Sequence, residues 1–77
     1  MTKNQQLKEW RGRLGISQKE VVRDNIGVYY TSLRRIEAGE IDLEYPTKKM
    51  ANMVNILEEY YTKRTQVKLF RKLKGIR

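Results

Sequence analysis

Tyr29, Tyr30, Thr31, Arg34 and Arg35 place hydroxyls and guanidiniums in one short stretch, interleaved with the aliphatic Leu33 and Ile36. On a helix the two aliphatic residues turn inward and the outer face becomes polar and cationic. Such a face recognises rather than catalyses. The planar fork of Arg34 matches the O6 and N7 acceptors of a guanine edge, and Thr31 can meet a thymine methyl. Each good base contact is worth about 1–3 kcal/mol of discrimination. Arg35 suits a base or a phosphate. The rest of the chain offers little bond-making chemistry. With no cysteine and no histidine, disulfides, thiolates, imidazole bases and the usual zinc ligand sets are all excluded. Glu58 and Glu59 are adjacent and point in different directions on a helix, and no serine is accompanied by a candidate base. The acids Glu40, Asp42 and Glu44 lack calcium-loop spacing, and five scattered glycines cannot cradle a nucleotide. The expectation is a binding protein, not an enzyme, with no cofactor and no metal.

The elements that must present this face are helices. Thr2 and Gln5 suit a capping box, and Leu7, Trp10 and Leu14 recur at helical spacing, so a first helix is expected from about residue 3 to 14, ended by Gly15. Ser17 and Glu20 suit a second capping box, with Val21, Val22 and Ile26 on the inner side of a second helix. Gly27 permits a sharp turn. A third helix follows at about 29–38, closed by Gly39 in a left-handed C-cap. Residues 40–45 alternate charged and apolar, which fits a loop or a short lone strand. After Pro46, the spacing of Met50, Met53, Val54 and Leu57 predicts a fourth helix ending near Tyr60 or Tyr61. From Thr62 onward Val67, Leu69, Phe70, Leu73 and Ile76 alternate with basic residues, which predicts a fifth, amphipathic helix. The expected architecture is all-α, with a body over 1–61 and a basic helix or arm over 62–77.

Charge separates these two parts. Of the formal net charge of +8 on 77 residues, seven charges belong to residues 62–77, which hold no acid. A polyanionic partner is the natural implication. No apolar run approaches the roughly 20 residues that span a bilayer, and the polar start lacks a signal peptide's apolar core. A cytoplasmic location and no membrane partner are therefore expected.

In order along the chain, Leu7, Arg11, Leu14, Gly15, Ile16, Ser17, Gln18, Glu20, Val21, Gly27, Val28, Leu33, Ile36, Glu37, Gly39 and Pro46 form a pattern. This pattern resembles the lambda-repressor-like helix-turn-helix family, which includes phage Cro proteins and xenobiotic-response-element-type regulators. The likeness covers residues 7–57, about two thirds of the chain. It implies a helix-turn-helix bundle whose recognition helix, about 29–38, enters the major groove. It places Tyr30, Thr31, Arg34 and Arg35 at base-reading positions. Gln18, in the first turn of the second helix, becomes a phosphate contact, with Ser17, Lys19 and Tyr29 beside it. Arg11 and Glu37 match a structural ion pair. Tyr29 can instead pack or stabilise the turn, although an aromatic at the usual cap position cannot cap.

Three features depart from the family pattern. The span from Gln18 to Gly27 is one residue longer, with Asp24-Asn25 the natural place for it. The connection from Gly39 to Pro46 is also longer, and its acids would repel phosphate. That loop should turn away from DNA or offer Ile41, Leu43 and Tyr45 to a partner. Finally, the basic tail lies outside the match. Its apolar stripe can complete the core or a dimer interface, Lys63, Arg64, Lys68 and Arg71 can touch phosphate, or the helix can lie on an anionic membrane.

The expected function is a sequence-specific regulator of transcription that binds double-stranded DNA, of phage, plasmid or bacterial type, acting as a repressor by occlusion. Relatives dimerise to reach half-sites about 34–36 Å apart, which makes a homodimer the expectation here. Ile56, Tyr60, Tyr61, Leu69, Phe70 and Leu73 are its candidate interface, although several of them can belong to the core instead, and a protein antagonist is a further partner to expect. The alternative is a protein-interaction module, antirepressor-like or antitoxin-like, that keeps the same fold.

Overall fold

Each helix begins and ends where the local chemistry directs. The computed structural model describes the backbone of residues 1–74 and the side chains of residues 1–69. Helix α1 spans Lys3–Leu14, α2 Gln18–Arg23, α3 Tyr30–Glu37 and α4 Lys48–Lys74. Thr2 and Gln5 close a reciprocal box, the Thr2 hydroxyl accepting from the Gln5 amide at 3.2 Å and Gln5 Oε1 from the Thr2 amide at 2.9 Å. Ser17 Oγ accepts from the Glu20 amide at 3.1 Å, but only this half of the second expected box forms. Helix α3 ends in a Schellman motif. The Gly39 amide donates to Ile36 O at 3.1 Å and the Glu40 amide to Arg35 O at 3.0 Å, with Gly39 at φ 76°. The turn from α2 to α3 takes up its length at Asn25, whose φ of 55° is left-handed. Asparagine is among the few non-glycine residues that accept that geometry.

Helix α3 packs against both α1 and α2, and α4 lies along α1. The core is Leu7, Ile16, Val21, Val28, Leu33, Ile36, Met53, Val54, Leu57 and Tyr61, with Trp10, Leu14, Val22, Ile26 and Met50 half-buried around it. Burying each large aliphatic side chain contributes about 1.5–3 kcal/mol, so this single cluster is the main stabilising element of a chain without cross-links. Asn4 adds a polar fastening that the sequence pattern did not disclose. Its buried amide donates to Ile36 O and to Ile41 O, both at 2.8 Å, and so ties α1 to the end of α3 and to the loop beyond it.

Two expectations are corrected here. The fourth helix does not stop at Tyr60 or Tyr61, and among the described residues there is no separate fifth helix, because α4 continues unbroken to Lys74. The change at residue 62 is one of composition only. No glycine or proline interrupts residues 48–74, and the Thr62 and Thr65 hydroxyls donate to the carbonyls of Glu58 and Tyr61 at 2.7 and 2.8 Å, within the helix. Of the two places open to Tyr61, dimer interface or core, the structure shows the core, at 0% exposure.

The connection over 40–45 is a loop, and no strand occurs among the described residues. Ile41 and Leu43 pack, partly buried, against the core, whereas Tyr45 projects. No helix among the described residues is long and apolar enough to cross a membrane.

Candidate nucleic-acid interface

Leu33 and Ile36 are fully buried, and this fixes the rotation of α3. Thr31, Arg34 and Arg35 are therefore turned to solvent on the other side of the helix. The Arg34 guanidinium lies 5.8 Å from the centroid of the Tyr30 ring, a cation–π distance that leaves its N–H groups free. Neither Arg34 nor Arg35 has a carboxylate partner among the described residues, while five other cations do: Lys3, Arg11, Arg13, Lys63 and Arg64. Tyr29 is the N-cap residue of α3, makes no side-chain capping bond and is 65% exposed.

A polar cleft runs from α3 toward α2 and α1. Thr31, Arg34 and Arg35 form one wall, with Ser17 and Gln18 from the start of α2 opposite. Lys8 of α1 lines the same cleft and adds a cation that the motif comparison passed over, because it falls between two apolar positions of α1 and reads simply as solvated. Lys19 is exposed on α2. The acidic loop does not leave this region entirely, since Glu40 borders the cleft before the chain turns back to the core.

Glu37 sits at the base of the cleft and organises it. Arg11 Nε donates to Glu37 Oε2 at 2.7 Å and Arg11 Nη2 to Glu37 Oε1 at 2.8 Å, a bidentate pair. Arg11 Nη1 also donates to Ile16 O at 2.7 Å, so one side chain links α1, the turn before α2 and the end of α3. Glu37 holds the Arg11 guanidinium even more firmly protonated than usual, through the hydrogen bond first and its charge second, while burial acts in the opposite sense. Gln18 Nε2 donates to Glu37 Oε1 at 3.0 Å. The Gln18 amide is thus oriented from within the protein and keeps one N–H for an outside acceptor.

The tail cations are engaged differently from those of α3. Lys63 pairs with Glu59 at 3.2 Å, one turn back on α4. Arg64 reaches Asp24 at 2.9 Å and stacks 5.1 Å from the Tyr60 ring centroid, while Tyr60 also donates to Asp24. These contacts, the Tyr60 hydrogen bond before the Arg64 one, hold the Asp24 carboxyl below the usual carboxylate range. Lys68 Nζ donates to Arg13 O at 2.9 Å, where the last carbonyls of α1 favour a positive charge. Arg64 and Lys68 are therefore fastened to other elements of the fold, whereas Lys63 pairs only within α4. The side chains of Arg71, Phe70 and Leu73 lie outside the described residues.

Comparison with protein-family models, curated proteins and solved structures finds no match for this chain.

Proposed function

We propose that this chain is a sequence-specific, double-stranded DNA-binding regulator of transcription, in which α2, the turn and α3 form a helix-turn-helix and α3 enters the major groove. The observation that carries the reading is the state of Arg34 and Arg35. Both are exposed on α3 and free of carboxylate partners, beside Thr31 and across a cleft from Gln18. Two unpaired guanidiniums on one short exposed helix suit base edges, and a preset amide at the start of the preceding helix suits a phosphate. In this reading Tyr30 and Thr31 flank the arginines at the bases, Ser17, Lys19 and Tyr29 border the phosphates, and Lys8 supplies a further backbone contact. Two copies bind two half-sites, which gives the affinity that one short helix lacks.

Selection of bound fragments from random duplex DNA tests the reading. A palindromic consensus is expected. Arg34→Ala should abolish preference at one base pair per half-site, at about 1–3 kcal/mol, whereas Gln18→Ala should weaken binding to all sequences alike. Sequence-blind binding by the parent chain, unchanged by Arg34→Ala, would remove the reading in favour of a protein-interaction module.

A further inference from the structure

Apart from the polar cleft, α4 and the end of α1 line a largely apolar groove of about 510 Å³. Leu14, Tyr60 and Val67 supply its apolar surface, and Lys63, Arg64 and Lys68 its cationic surface. The contacts of Arg64 with Asp24 and of Lys68 with the Arg13 carbonyl fix these edges within the protomer. Val67 is 51% exposed in this groove. Asp24 neutralises Arg64, whereas Lys63 shares only an exposed pair with Glu59 and Lys68 bonds a neutral carbonyl, so an apolar floor beside these two lysines suits an apolar side chain flanked by carboxylates.

The chain carries such a segment in the loop before α4. Ile41 and Leu43 anchor the loop to the core, leaving Asp42 and Glu44 exposed beside Tyr45, which at 81% is the most exposed large apolar side chain described. The loop cannot reach the groove of its own protomer. Between Lys48 and the groove residues Lys63 to Lys68, α4 rises by about 22–30 Å along one rigid axis. A second copy whose α4 runs antiparallel brings each loop beside the other's groove. The resulting contact is isologous and closes on itself.

We infer that the groove receives the Tyr45 loop of a second copy of this chain, so that the protein is a twofold dimer held by two loop-in-groove contacts. Tyr45 fills the apolar floor, and Asp42 and Glu44 meet Lys63 and Lys68. The groove and the polar cleft share no lining residue, so a dimer built this way leaves Arg34 and Arg35 open. The inference deepens the proposed function by giving its pair of copies an interface, and it rests on that reading only for the purpose of pairing.

Sedimentation equilibrium of the whole chain without DNA tests it. A dimer is expected, and Tyr45→Ser should weaken it by about tenfold or more, as for an aromatic anchor. Lys63→Glu with Lys68→Glu should give monomers, and adding Asp42→Lys with Glu44→Lys to that chain should restore the dimer. A monomeric parent chain would overturn the inference, as would a dimer indifferent to Tyr45→Ser or charge reversals that fail to restore pairing. No arm of this test involves DNA. Loss of the interface with Arg34-dependent base preference intact would therefore remove this inference alone, and a loop-dependent dimer without base preference would remove only the proposed function.

Discussion

The Arg11 guanidinium grips both carboxylate oxygens of Glu37, 26 residues away, at 2.7 and 2.8 Å. The Glu37 side chain is only 3% exposed and that of Arg11 17%, so the pair is largely removed from water. Taking away one partner strands a buried charge, which costs far more than the net worth of the pair. Arg11→Met should lower unfolding stability by about 3–5 kcal/mol, followed by Trp10 fluorescence in urea. A loss under about 1 kcal/mol, the usual value for an exposed pair, would show that water reaches Glu37 in solution.

Tyr61 presents the opposite situation, a buried polar group without a partner. Its ring packs 5.7 Å from Trp10, but its hydroxyl has no hydrogen-bond partner among the described residues. Burial first, and the nearby Glu37 charge second, push its ionisation far above the ordinary tyrosine range. Tyr61→Phe should therefore stabilise the fold by about 1 kcal/mol at neutral pH, since it removes an unsatisfied hydroxyl and keeps the ring. The pH dependence has a definite sign. Above about pH 10 the unfolded chain loses the Tyr61 proton while the folded chain keeps it, so stability is fully present below that pH and falls as pH rises. The phenylalanine variant should lose stability less steeply there, as measured by urea midpoints on both sides of that pH. Equal slopes for the two chains would contradict the burial of the hydroxyl.

The second half of α4 should behave as part of the fold. Trp10 Nε1 donates to Thr65 Oγ1 at 3.0 Å, and this bond joins α1 to α4 beyond the point where the composition turns basic. Thr65→Val keeps the shape and removes the acceptor, and should cost about 1 kcal/mol. Deleting residues 62–77 should cost considerably more, because Arg64 and Lys68 leave with it, together with their contacts to Asp24 and Arg13. Thermal unfolding of the three chains checks this. If the segment were an independent arm, all three would melt together.

Much of the scaffold was legible in the residues themselves. The limits of α1 followed from Thr2, Gln5 and Gly15, and the end of α3 from Gly39, because capping and left-handed glycines act within a few residues and owe nothing to distant packing. The outward turn of Arg34 and Arg35 followed from Leu33 and Ile36 by helical periodicity.

Tertiary structure alone decided the rest. A shift to basic residues at Thr62 resembles a boundary in the sequence, yet the backbone continues through it, since charge does not break a helix and only the neighbouring α1 shows where that helix lies. The packing of Tyr61 on Trp10, the pairing of Arg64 with Asp24 and the reach of Asn4 to Ile36 and Ile41 join residues 32 to 51 positions apart. Spacing along the chain carries no record of such contacts. They arise only when the apolar faces close on one another and the polar groups caught between them must find partners.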